Sequence, residues 1–269
     1  RWPVTTPIRF SSDGTINYGA QSWQTGNIST TVANHGTILT ASDVKINNDI
    51  GSNSLPIKAI TISGSTQFLG NVYAQTTTLN STLELGAGKT WGGNITSSSG
   101  TGTIILDGNN IISGSLSRTT ALDELFVAGD SQIGSNSSSS YGLSTNNLQL
   151  GASALTVYGD GANVALTGDG LYTIAINDSS DYGYVELVSA EPGSFTVSGD
   201  LVVSVSGLAN AAHGDRLRIV RGGVDSLTSI DGEISIIKDE ESVRVTPIVS
   251  GDEIILLIAT RNTFNAPVG

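Results

Sequence analysis

The chain has 269 residues, enough for one elongated domain or two compact ones, and only 13% of them are charged, about half the usual share. Cys and Met are absent and the helix formers Ala, Leu, Glu and Lys are in no surplus, which excludes a disulfide framework, a thiolate metal site and a helical bundle. A net charge of −12 argues against nucleic acid and anionic membrane as partners, and the longest apolar run, Ile254 to Ala259, is far short of the roughly 20 residues that a spanning helix needs, so membrane insertion is not expected.

Residues 1–14 read as an extended N-terminal segment. Pro3 and Pro7 resist joining a sheet interior, and Trp2, Pro3, Val4, Ile8 and Phe10 are the candidates for reaching a neighbouring subunit. Arg1-Trp2-Pro3 has neither the basic nor the apolar region of a signal peptide, which reads as a processed chain or an excised piece.

Residues 15–180 repeat. Stepping by about 22 residues meets Ile16, Ile38, Ile60, Leu83, Ile104, Leu125, Leu148 and Leu171, with a companion row two residues on. Ile57 to Asn71 also aligns without gaps on Leu122 to Asn136, an offset of 65, and Leu83 to Ala87 falls on Leu148 to Ala152 at that offset. Alternation over three or more residues marks half-buried strands, and Gly, Asn, Asp and Ser mark the turns between them. One such strand cannot bury its own apolar face, whereas stacked copies bury theirs together. The expectation is an all-β fold: a parallel β-helix of ~22-residue coils, about eight of them, rising roughly 4.8 Å per coil. The leucine-rich consensus and a propeller period are missing. Tyr158 to Gly161 and Thr167 to Gly170 resemble Asp-Gly hairpin turns and keep a sandwich or antiparallel array open.

Residues 181–269 are more acidic, with 13 Asp or Glu against 6 Lys or Arg. They predict strands at Tyr184 to Val188, Leu201 to Val205, Arg216 to Val220, Ile234 to Ile237, Ser242 to Val249 and Glu253 to Ala259, and a helical turn within Leu208 to His213. This region is expected to cap the rod, whose last coil otherwise presents an unpaired edge. Arg216, Arg218 and Arg221 read as a solvated edge.

Few residues offer chemistry. His213-Gly214-Asp215 reads as a turn, and two His residues do not supply a zinc site. Asp160, Asp169, Asp178 and Asp181 lie on successive loops and are weak Ca²⁺ candidates, or a pair of glycan-cleaving carboxylates, against the simpler reading as turn formers. Gly86-Ala87-Gly88-Lys89-Thr90 lacks the spacing and the following helix of a phosphate loop. No catalytic residue and no cofactor is assigned. Trp2, Trp23 and Trp91 are read as packing rather than as sugar platforms, and the four Asn-x-Ser/Thr acceptors at Asn27, Asn80, Asn94 and Asn136 carry little weight in so Asn-rich a chain.

Ile57 to Asn136, with its I-x-I-x-G frame and the following L-x-L-G-A-G and G-T-G-T-I-I-L-D-G-N-N segments, resembles the repeats of bacterial autotransporter passenger domains, most of all those of rickettsial outer-membrane antigens. Asp252 to Asn262 resembles the closing stretch of such passengers. The resemblance implies a right-handed β-helix at the cell surface, in adhesion or as a surface layer. It carries over no functional residue, and the family's C-terminal membrane barrel does not follow in this chain. The expected role is a non-enzymatic, extracellular structural protein that associates with itself into a filament or surface layer. The rivals are an adhesin for a host receptor or glycan, with an exposed patch around Tyr141 or Phe126, and a tailspike-like glycan-cleaving fibre using Asp160 and Asp169.

Overall fold

Short segments with every second residue aliphatic bury one side of a strand, and small polar residues let the chain turn between them. In the computed structural model, which describes residues 3–98, 100–135, 139–189, 191–223 and 225–260, such segments wind into a parallel β-helix. β1 (Ile8–Phe10) ends an incomplete first winding. The first full coil is β2 (Thr15–Tyr18), β3 (Trp23–Gln24) and β4 (Ile28–Thr30). The second is β5 (Thr37–Thr40), β6 (Val44–Ile46) and the single bridging residue Ile50. β7 (Ile57–Ile62), β8 (Thr66–Phe68) and β9 (Val72–Leu79) follow, and the second half of β9 already begins the next coil. Next come β10 (Thr82–Leu85), β11 (Thr90–Ser97), β12 (Thr103–Leu106), β13 (Ile111–Ile112), β14 (Leu122–Val127) and β15 (Ser131–Ile133). β16 (Gly142–Leu150), β17 (Ala154–Tyr158), β18 (Asn163–Ala175) and β19 (Tyr184–Val188) continue the winding. β20 (Ser194–Val197), β21 (Leu201–Ser206), a 3-10 turn at Leu208–Asn210 and β22 (Arg216–Arg221) form a longer coil. β23 (Leu227–Ile230) and β24 (Ile234–Lys238) are the last parallel strands, and β25 (Val243–Ser250) and β26 (Glu253–Thr260) form an antiparallel hairpin.

Each coil gives one strand to each of three ladders. The first face stacks Ile16, Ile38, Ile60, Thr77, Ile95, Leu116, Leu143, Val164, Phe195 and Thr228. The second stacks Val44, Thr66, Leu83, Ile104, Leu125, Leu148, Tyr172, Val203 and Ile236. The third stacks Ile28, Ile50, Val72, Trp91, Ile112, Ile133, Val157 and Leu187. The inward rows form one continuous core, in which each Ile or Leu contributes roughly 1.5–3 kcal/mol by leaving water. Ten rungs on the first face give a rod of about 45 Å at the ~4.8 Å spacing of strands.

The apolar row expected from the sequence changes face partway. Ile16, Ile38 and Ile60 do stack, but Thr77 stands on Ile60, and Leu83 stands on Thr66 of the second face. From Leu83 the row runs true through Ile104, Leu125 and Leu148, then meets Tyr172, while Leu171 pairs with Asn147 on the outside. The cause is a change in coil length. Ile60 to Thr77 is 17 residues, so a step of about 22 from Ile60 overshoots one coil and lands on the next face. Later coils lengthen to 31 and 33 residues, from Val164 to Phe195 to Thr228.

The ends also differ from the expected division at 14 and 180. Val4 bridges to Gln24 and β1 pairs with β4, so residues 3–14 belong to the first winding. The parallel ladders run on to Lys238, and the β25–β26 hairpin departs from them, as does a single antiparallel bridge between Ile176 and Tyr182. The hairpin covers the third face by pairing antiparallel with β22, and its tip reaches the first face, where Thr228 N–H donates to Gly251 O at 3.0 Å. The Asp-Gly sequences near 160 and 169 are corners between ladders. β17 and β18 do not pair with each other, and Gly168 and Asp169 lie within β18, so the antiparallel alternative is set aside.

Candidate functional site

Four aspartates stood as candidates, and the winding separates them. Asp160 lies at the corner from the third face to the first, Asp169 from the first to the second, and Asp178 and Asp181 from the second to the third. Asp160 and Asp169 therefore do not face each other across a cleft, and the two-carboxylate arrangement of a glycosidase is not formed by them. Among the described residues no three His, Cys, Asp or Glu side chains gather as metal ligands.

The corners at Asp169 and Asp178 have local explanations. Asp178 accepts the Ser180 hydroxyl and N–H and the Asp181 N–H, at 2.7–2.9 Å, which holds its carboxyl below the ordinary aspartate range. Asp169 accepts Asp200 N–H at 3.3 Å, and Asp200 in turn accepts Glu233 N–H at 2.9 Å. The acidic corner thus ties one coil to the next. Asp13 does the same at the other end. Its carboxyl is drawn down by Lys58 at 2.5 Å and by the Gly36 N–H.

The remaining candidates fall into place as packing or turns. Asp215 accepts Ala212 N–H, which closes the turn around the exposed His213. Gly86 to Thr90 is the corner from β10 to β11, and a strand rather than a helix follows it. Trp91 is wholly buried, with its ring edge-on to Phe68 at 5.0 Å, while Trp23 is 38% exposed and Trp2 lies outside the described residues. Arg216 and Arg218 are exposed, and Arg218 pairs with Glu253 at 3.3 Å. Arg221 instead lies 3.5 Å over the Tyr184 ring and donates to Tyr182 Oη, so it is part of the packing. Val4, Ile8 and Phe10 spend their pairing on the chain's own first coil, and the Phe10 ring is buried against Gly36.

Two surface features bear on binding, besides a depression between β24 and the β25–β26 hairpin. The first is the open end formed by β1 and β2. Each pairs on one side only, β1 with β4 and β2 with β5. Ile8 N–H and Phe10 O are bonded toward β4, and Gly14 O and Tyr18 O toward β5. The alternation of a strand then turns the peptide groups of Arg9, Thr15 and Asn17 to the open side. Tyr18, at this end, has a buried hydroxyl without a partner among the described residues, and burial pushes its phenol up to about 12.

The second is a groove of about 320 Å³ beside the first face. At Leu116 that ladder narrows to single bridges, because Ser117 adopts a positive φ of 50° and the next rung, Leu143, comes 27 residues later. Ser115 and Ser117 turn inward. The Ser117 hydroxyl accepts Ser97 N–H at 2.8 Å and the Ser115 hydroxyl accepts Gly142 N–H at 3.2 Å, in place of ladder bonds. The missing strand leaves a depression lined by Asn94, Thr96, Thr119, Arg118 and Tyr141. Tyr141, expected in an exposed patch, is half-buried and packs against the core, whereas Arg118 had no signal beyond being a cation in an acidic chain. Phe126, the other expected patch residue, points outward on the second face next to Ile105, away from this groove.

No protein-family model matches the chain, and no curated protein is significantly similar to it.

Proposed function

We propose that this chain is a non-enzymatic structural protein of the cell exterior, a stiff rod that associates with further copies of itself. The observation that carries the reading is the inequality of its ends. At one end the hairpin folds over two of the three faces and leaves the outer edges of β24 and β25 unpaired, and at the other β1 on the third face and β2 on the first each keep an unpaired edge. Such edges are templates for another strand unless they are blunted, and among the described residues neither β1 nor β2 is covered by another element. The uncapped coil is the joining surface, and two copies meet there edge to edge. The likeness of residues 57–136 to autotransporter passengers, and a cysteine-free chain that is indifferent to the redox compartment, are in keeping with display outside the cell.

The test replaces Arg9 and Asn17 together by proline. Both N–H groups face the open side, so β1–β4 and β2–β5 pairing survives while the edge keeps only the Thr15 donor of its three. Sedimentation velocity and electron microscopy are expected to show paired or larger assemblies for the parent chain and single rods for R9P/N17P. A parent chain that stays monomeric at high concentration, or a double variant that assembles unchanged, overturns the reading.

A further inference from the structure

We infer that the groove beside the first face, with Arg118 and Tyr141 at its wall, is a binding site for a carboxylate-bearing saccharide. The inference stands apart from self-association, since the groove lies at mid-rod and the joining edges lie at one end.

Three observations converge. Arg118 is an exposed cation in a chain of net charge −12, yet among the described residues it makes no ion pair or hydrogen bond. Among the described residues no carboxylate lines the groove around it. The aliphatic stem of Arg118 lies against Gly142, which steadies a planar, five-donor fork suited to bidentate contact with a carboxylate.

The Tyr141 ring is likewise held rather than loose. It lies against the backbones of Gly134 and Gly159, at positive φ of 84° and 109°, where any Cβ would collide with it. A fixed aromatic ring in a polar groove offers the C–H face of a sugar its usual platform, at little entropic cost.

The rest of the lining is neutral and rich in hydroxyls and amides. Asn94 and Thr96 open the groove on to the outer first face, where they stand in register above Thr76 and Thr78, and these above Ala59 and Thr61. A linear saccharide held by its acid group at Arg118 meets a track of donor–acceptor groups along the rod.

The experiment uses the full chain and titrates it calorimetrically with four probes: a hyaluronan hexasaccharide, sialyllactose, lactose, and a sulfated neutral disaccharide. Binding of one or both carboxylated probes is expected, at least tenfold tighter than lactose or the sulfated sugar, and weakened by added salt. Arg118→Gln and Tyr141→Ala are each expected to lower that affinity tenfold or more without changing the circular dichroism spectrum, and Arg118→Lys to recover only part of it. Equal binding of lactose, a preference for the sulfated probe, indifference to Arg118→Gln, or no heat with any probe at millimolar concentration overturns the assignment.

Discussion

Trp91→Ala is expected to lower the free energy of unfolding by about 3–5 kcal/mol, the range for truncating a large buried aromatic. The side chain is fully buried on the third face between Val72 and Ile112, and reaches across the core to meet Phe68 edge-on at 5.0 Å. Its neighbours are held by ladders on both sides, so the space does not collapse when the ring is removed. The indole N–H has no partner among the described residues, so Trp91→Phe is expected to cost much less: lost volume is offset by removing an unsatisfied donor. Urea unfolding followed by circular dichroism measures both, with the exposed Trp23→Ala as the control, expected within about 0.5 kcal/mol of the parent. A loss under 1 kcal/mol for Trp91→Ala counts against a packed core at this rung.

Gly93→Ala is expected to be as severe, for a reason of backbone rather than volume. Gly93 has a φ of 102°, and an added Cβ would overlap the Ala74 carbonyl oxygen of the coil below. The pairing of β9 with β11 shifts register between Gly92 and Asn94, so the strand bulges at this glycine and brings the two backbones together. Neither can retreat: Ala74 is fixed in β9, and the Gly93 carbonyl is itself in close contact with Gly114 of the coil above. Strain and overlap together put the loss above about 3 kcal/mol. Gly88 separates the causes. Its φ of 70° is also left-handed, but nothing lies within 4 Å of its added Cβ, so Gly88→Ala is expected to cost about 1 kcal/mol. Equal losses in the two variants would show that close approach contributes nothing.

The strands themselves were legible. Tyr184–Val188 was anticipated residue for residue, and five further late strands to within a residue at either end, because aliphatic alternation and turn residues act locally, whereas the short β20 and β23 were not anticipated. The face to which each strand belongs was not. All three faces ask for the same pattern, one residue in and the next out, so β7 and β14 look alike in sequence although one lies on the first face and the other on the second. The offset of 65 therefore had two meanings. From Leu83 to Leu148 it is three coils of one face, whereas from Ile57 to Leu122 it is three coils and part of another. Coil length is set at the corners, where a residue more or less changes nothing in the core, so no period protects it. The groove escaped notice for a related reason. It exists because Ser115 and Ser117 stand where a strand is interrupted, and two serines in a serine-rich chain carry no signal of that.

The direct test of the winding uses cysteine pairs in a chain that has no cysteine of its own. Thr61 and Thr78 are paired on the outer first face, whereas Glu84 pairs with Gln67 on the second. Neighbouring parallel strands lie about 4.8 Å apart, within the span that a disulfide bridges. Mild oxidation is expected to close T61C/T78C readily, and to leave T61C/E84C with two free thiols by mass spectrometry. Closure of T61C/E84C in place of T61C/T78C would mean that the third coil is 23 residues long rather than 17, and the three-ladder assignment of every later strand would fall with it.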